Sequence, residues 1–201
     1  MTPLRVIIGA GEQRWEGWQP TQQADLDLTD PASFERFFGG RRADAFLCEH
    51  VWEHLSVAQG QAAARLCFAH LKPGGLLRVA VPDANFPDPE YQRTVQVGGP
   101  GPADHPAAGH QVVYDHGRFA ELFRLAGFGV TPLEYFDEAG RFHQRDWNPA
   151  DGPIYRSALL DHRNARFWAE KGPLGFSSII LDVRKPTTSS TAPAGAGTGR
   201  P

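Results

Sequence analysis

No block of lysine or arginine occurs anywhere in the 201 residues, and 20 basic against 23 acidic side chains leave a formal charge of only -3. Charge alone therefore gives no basis for strong nucleic-acid or membrane-surface binding. No apolar run approaches the length of a membrane span, and Met1-Thr-Pro-Leu-Arg enters a strand-like run without a charged leader and apolar region. The expectation is a cytoplasmic protein. Only two cysteines are present, Cys48 and Cys67, both in apolar segments. This excludes a disulfide framework and reads as two buried thiols in a reducing compartment. No internal repeat is visible. What is present is 41% hydrophobic residues, 21% charged residues and five tryptophans, the composition of a folded domain. The length suits one α/β domain with a real core.

Leu4-Arg-Val-Ile-Ile is β-branched and ends at Gly9-Ala10-Gly11, which predicts a first strand opening into a tight turn. The helix expected next is missing, and an irregular aromatic connection with a stub of strand near residues 18–21 replaces it. Asp30-Pro31 is an N-cap and first-turn pair for a helix through Phe38, stopped by Gly39-Gly40. A second strand is predicted over residues 43–48, then a helix capped by Ser56 with Ala63, Leu66 and Cys67 on one face. Lys72-Pro-Gly-Gly75 predicts a turn into a strand over residues 76–81. Strand, helix, strand makes a crossover unit, hence a parallel sheet. Residues 84–108 predict a long functional loop. Phe119, Leu122, Phe123 and Ala126 have helical spacing before Gly127. Two late strands, near 130–136 and 177–183, flank a polar, aromatic insertion at 137–172 containing His143, Trp147, Tyr155, His162 and Asn164. The final Ser, Thr, Pro, Ala and Gly residues read as a disordered tail, so the domain is expected to span 1–186 and the tail 187–201.

The chain is organised around residues 43–55, Ala-Asp-Ala-Phe-Leu-Cys-Glu-His-Val-Trp-Glu-His-Leu. A buried strand runs there into an acidic, histidine-rich turn, and the carboxyl end of such a strand is where open α/β sheets bind ligands. Two readings compete. His50-Val-Trp-Glu-His54 fits the H-x-x-E-H zinc pattern, with Glu90, Glu121 or Glu134 as a further ligand of a metal hydrolase. The same letters also suit the rim of a cofactor pocket facing Gly9-Ala10-Gly11. That turn lets a ligand approach the backbone, but it is no dinucleotide fingerprint, since the third glycine and the phosphate-binding helix are absent. A cofactor without phosphates does not need that helix.

The order Val6-Ile-Ile-Gly-Ala-Gly11, Gly17-Trp18, Asp25-Leu-Asp-Leu, Glu49-His-Val-Trp-Glu-His-Leu55 and Leu71-Lys-Pro-Gly-Gly-Leu-Leu-Arg-Val-Ala-Val-Pro-Asp83 resembles class I S-adenosylmethionine (SAM)-dependent methyltransferases. It is most similar to bacterial members with a shortened first crossover. The resemblance continues through His110-Gln-Val-Val-Tyr114, Ala126-Gly-Phe, residues 134–143 and Lys185-Pro186. It implies a Rossmann-like three-layer α/β sandwich, its sheet mostly parallel with an antiparallel late strand. SAM would lie over Gly9, Ala10 and Gly11, with Glu49 and His50 near the methyl donor. Three positions depart from the pattern: Ile7 replaces the usual acid of the first strand, Thr21-Gln22-Gln23 offers only neutral groups for the ribose, and Gln13 replaces the third glycine. Asp25 or Asp27 can supply an acid near the adenosine.

On this reading His50 is the candidate base, Asp27 and Glu49 join the glycine turn in holding SAM, and Glu53 and His54 support them. Asp83, His110, Tyr114, His143 and Trp147 are nominated to bind a small-molecule acceptor, and no metal is assigned. Each of these residues also has a plain structural use, as a strand-end hydrogen bond, a loop cap or a core aromatic. A third reading keeps the fold as a SAM-binding protein without turnover.

Overall fold

The computed structural model describes residues 2–99, 106–160 and 178–187. Seven strands among them form a single sheet: β1 (Arg5–Ile8), β2 (Gln19–Pro20), β3 (Ala43–Glu49), β4 (Leu71–Pro82), β5 (Gly129–Phe136), β6 (Phe142–Gln144) and β7 (Ser178–Arg184). Their spatial order is β2-β1-β3-β4-β7-β5-β6. Strands β1 to β4 are parallel, whereas β7 runs antiparallel to both β4 and β5, and β6 antiparallel to β5. The architecture is thus Rossmann-like α/β with two antiparallel late strands, β6 and β7, where one was expected. From β1 the chain moves outward to β2 and returns to β3 on the other side, which makes the carboxyl ends of β1 and β3 the topological switch point.

Local signals account for the helices. In α1 (Pro31–Phe38) the Asp30 side chain accepts from Ala32 N, and Gly39 closes the helix at φ 53°. Ser56 and Gln59 form a reciprocal capping box at the start of α2 (Val57–His70). The Lys185 ammonium donates to the carbonyls of Phe68 and Leu71 at its end. Asp115 caps α4 (His116–Arg124).

Phe34 and Phe38 of α1, Ala63, Ala64 and Cys67 of α2, and Phe119, Leu122 and Phe123 of α4 pack on one sheet face, against Val6, Ile8, Phe46, Cys48, Leu77, Val79, Ile179 and Leu181. Both cysteines are free and buried in this layer, and burial pushes both thiols up.

The opposite face is covered differently. Ile7, Ala45, Leu47, Leu76, Ala80 and Ile180 are covered by Trp18 and Ile154 together with Trp15 and Trp147. Among the described residues this third layer contains no α-helix. Arg78, 1% exposed, fastens it. Its guanidinium binds Asp182 through two bonds of 2.7 and 3.0 Å and donates to the carbonyls of Asn148 and Gly152 at 2.8 and 2.7 Å. It also lies 4.7 Å from the centre of the Trp147 ring.

Three sequence expectations need correction. The Lys72-to-Gly75 turn is an excursion within β4: Ala43 pairs with Leu71 but Ala45 with Leu76, and residues 72–75 bulge out, with Gly74 at φ 79°. The excursion is held by Lys72 on Asp44 and by backbone bonds from Gly74 to Lys185 and from Lys185 to Gly75. The expected loop at 84–108 includes α3 (Pro89–Val95), capped by Asp88, and a short turn, Pro106–Gly109. The insertion supplies β6 and much of the third layer. His162, Asn164 and residues 188–201 of the expected tail lie outside the described residues.

Candidate functional site

A cleft of ≈ 810 Å³ opens at the switch point, lined by residues 9–15, Glu49, His50, Tyr155 and Arg156. Its volume is within the range typical of small-molecule and cofactor sites. Gly9 and Gly11 turn the chain at φ 64° and 52°. A Cβ on Gly9 would come 2.6 Å from Val51 Cγ2, so glycine is required there for space as well as for conformation. Thr21 holds this turn to β1 through Ile7 O, and Gln22 and Arg14 both donate to Gly11 O.

Glu49, at the end of β3, faces the cleft but has a full set of partners. Its carboxylate accepts from Gln13 Nε2 at 2.7 Å and from the backbone N–H groups of Tyr155 and Arg156 at 2.9 and 2.7 Å. It therefore pins the insertion over the glycine turn. The residue at the usual third-glycine position, Gln13, closes this clamp. Its Oε1 and the indole N–H of Trp15 are buried with no hydrogen-bond partner among the described residues, and both residues line the cleft. A buried acceptor and a buried donor without partners are costly unless a ligand or water meets them.

His50 is the one non-glycine residue described with positive φ, 55°. Such a conformation is uncommon outside glycine and concentrates at functional sites. The ring's Nε2 lies 3.0 Å from Ser178 Oγ. Nδ1 is 3.1 Å from Glu53 Oε1 and 3.4 Å from Arg156 Nη1.

On the other side of Gly9 a smaller cavity of ≈ 220 Å³ is lined by Leu26, Asp27, Leu28, Thr29, Val51 and His54, among others. Asp27 thus stands near the glycine turn, but its oxygens accept from Thr29 N, Thr29 Oγ1 and Gln23 Nε2. Partial desolvation raises its pKa, and these bonds outweigh that, leaving the carboxyl below the usual range.

None of the five residues nominated for the acceptor lines the main cleft. Asp83 is fully buried and accepts from Phe136 N and Asn85 N; desolvation dominates and pushes its pKa up to about 6. His110 donates from Nδ1 to Val95 O at 2.8 Å, and burial holds its pKa down. Tyr114 packs on Phe119, with its pKa pushed up to about 12 by burial and then by the charge of Glu53. His143 stacks on Tyr135 and bonds Asp137 at the sheet edge. There the His143 ring and then the Arg141 backbone lower the Asp137 carboxyl. Trp147 lies under Arg78 and donates to Glu134 at 2.8 Å. Apart from the Tyr114 hydroxyl, which has no partner among the described residues, their polar groups bond within the fold and away from the main cleft.

The nominated zinc ligands also separate. Glu134 is buried beneath Trp147, where desolvation raises its pKa despite bonds from Ala158 N and the Trp147 indole. Glu121 pairs with Arg124 on an exposed helix face. Among the described residues, Glu53, His54 and His110 are the group whose ligand atoms meet. Sequence reasoning did not assign Gln13, Trp15, Tyr155 or Arg156 to the site. A charge inside an apolar strand, Arg78 or Glu134, was the available signal that the insertion would dock.

No protein-family model matches the chain, and no curated protein matches it. Solved structures do. A putative methyltransferase in a complex with the Haloferax volcanii Trm112 methyltransferase activator superposes with a TM-score of 0.52 at 14% identity, over 92% of this chain and 83% of that one. A SAM-dependent methyltransferase from Archaeoglobus fulgidus gives 0.49 at 13% identity, covering 91% and 86%. An O-methyltransferase family protein from Burkholderia thailandensis gives 0.48 at 13% identity, covering 86% of this chain, which spans only 37% of that protein. With this sheet order and switch-point cleft, the chain has the fold of class I SAM-dependent methyltransferases.

Proposed function

We propose that the chain binds SAM in the switch-point cleft and transfers its methyl group to a small-molecule acceptor. The observation that carries this reading is the pair of unpartnered buried atoms, Gln13 Oε1 and Trp15 Nε1, in a cleft floored by a glycine turn. The residues fit the cofactor's chemistry. Arg14 and Arg156 suit a carboxylate, Glu12 suits a cationic group, and the apolar walls Leu26, Leu28 and Val51 beside Asp27 suit an adenosine.

When bound, SAM supplies an already activated methyl group, so the protein's task is to align a nucleophile and exclude water. Glu49 supports this by holding Tyr155 and Arg156 over the cleft. Where the acceptor carries a proton, His50 takes it at the cleft-facing imidazole, and the Glu53 carboxylate 3.1 Å from Nδ1 stabilises the resulting cation. Acceptor contacts are assigned to Tyr155 and Arg156 in place of the five residues first nominated.

Calorimetric titration of S-adenosylhomocysteine into purified, metal-stripped protein tests the reading. Saturable binding supports it, and no heat at high micromolar ligand rejects it. With binding established, a panel of acceptors separates transfer from binding alone. His50→Ala should then lose turnover while the fold persists.

A further inference from the structure

Glu53 is 1% exposed, yet neither of its carboxylate oxygens has a hydrogen-bond donor among the described residues. The His50 contact at 3.1 Å is an ion-pair distance without hydrogen-bond alignment. A carboxylate buried in this way requires a compensating cation or proton. Two imidazoles are beside it. The ligand atoms of Glu53, His54 and His110 all lie within 4.8 Å of one another, and the two rings meet edge to face at 5.0 Å.

The chemistry of His110 is specific. Since Val95 O can only accept, Nδ1 carries the proton and Nε2 presents its lone pair. An imidazole that donates its far N–H to a backbone carbonyl is the usual arrangement of a metal-ligating histidine. The Tyr114 hydroxyl, also buried without a partner, is close enough to feel the charge of Glu53. His54 lines the smaller cavity beside Gly9, which gives an ion a way in.

We propose that Glu53, His54 and His110 bind a divalent transition-metal ion, zinc being the natural match to two imidazoles and one carboxylate. Ligands about 2.1 Å from a tetrahedral zinc stand about 3.4 Å apart, so rotamer shifts of roughly an ångström close the site. The ion ties the Trp52–His54 turn, whose His54 lines the smaller cavity, to the segment entering Tyr114. His50 is not a ligand: its positive φ turns the ring to Ser178. The set therefore differs from the H-x-x-E-H pattern by exchanging His50 for His110. It carries no hydrolytic step, and it stands whether or not SAM binds.

The test uses tag-free, full-length protein stripped by a chelator and titrated with zinc chloride by calorimetry, with cobalt(II) absorption as a probe of ligand geometry. The expected result is about one ion per chain with submicromolar affinity. His110→Ala and Glu53→Gln should each weaken binding at least about 100-fold, the upper end of what loss of an outer partner alone produces. His50→Ala removes only a contact 3.1 Å from Glu53 and should weaken binding by less than that. Should Glu53→Gln fail to fold by circular dichroism, the half-buried His54→Ala decides in its place. No zinc binding by folded wild-type protein overturns the proposal, as does unchanged binding by His110→Ala or its loss in His50→Ala.

Discussion

Replacing Arg78 by alanine should destabilise the domain more than any surface ion-pair mutation, because the change removes four bonds from a side chain that is 1% exposed. Asp182, 13% exposed at its side chain, is left charged beneath the third layer, and the carbonyls of Asn148 and Gly152 lose their donor. Removing one member of a buried pair costs about 3–5 kcal/mol. At roughly 2–4 °C per kcal/mol for a domain of this size, the melting temperature should fall about 6–20 °C. Urea denaturation followed by circular dichroism and tryptophan fluorescence measures the loss. Arg78→Met with Asp182→Leu should recover much of it, since a buried pair exchanged for apolar groups of similar volume is often near neutral. The insertion should stay looser in the double variant, because the carbonyl bonds are not restored. Limited proteolysis should therefore cut near residues 147–156 sooner than in the wild type. A loss below about 1 kcal/mol for Arg78→Ala, the level of an exposed pair, would refute the account of the third layer.

Gly9→Ala places a Cβ 2.6 Å from Val51 Cγ2 at φ 64°. The left-handed conformation alone costs about 1–2 kcal/mol, and adding Val51→Ala should relieve the clash but not that conformational term; a midpoint equal to wild type for Gly9→Ala contradicts the close approach. Asp83 has its pKa raised from 3.8 to about 6 in the fold. The folded state then binds more protons than the unfolded one between those values, so this group's contribution falls as pH rises from about 4 through about 6. Asp83→Asn should flatten that slope, and unfolding curves at the two ends of the window, compared with wild type, would show an unchanged slope if the assignment is wrong. Ser56→Ala should cost about 1 kcal/mol through loss of the capping box, read from the same denaturation curves; no change would mean the α2 cap contributes nothing.

The helix face was readable in the sequence because its signals are local. Asp30-Pro31, the Ser56 cap, and the spacing of Phe119, Leu122 and Phe123 depend on neighbours within a turn. The glycine turn and the end of β3 were readable for the same reason, and their meeting follows from parallel topology. The third layer was not readable. Glu49 takes the N–H groups of Tyr155 and Arg156, Glu134 takes that of Ala158, and Arg78 takes the carbonyls of Asn148 and Gly152. Every residue carries such backbone groups, so the partners leave no trace in side-chain pattern. Asp83, His110, Tyr114, His143 and Trp147 were nominated for their chemistry, but whether a polar side chain faces a cleft or satisfies its own fold depends on these long-range contacts.

A crystal structure of the protein with S-adenosylhomocysteine at saturating concentration tests the central claim most directly. The account predicts ligand density between the Gly9–Gly11 turn and Glu49 and His50, with Gln13 Oε1 and Trp15 Nε1 in contact with the ligand or with water it orders, and the adenine beside Asp27. Density elsewhere on the molecule, or a cleft holding solvent alone at that concentration, would contradict it.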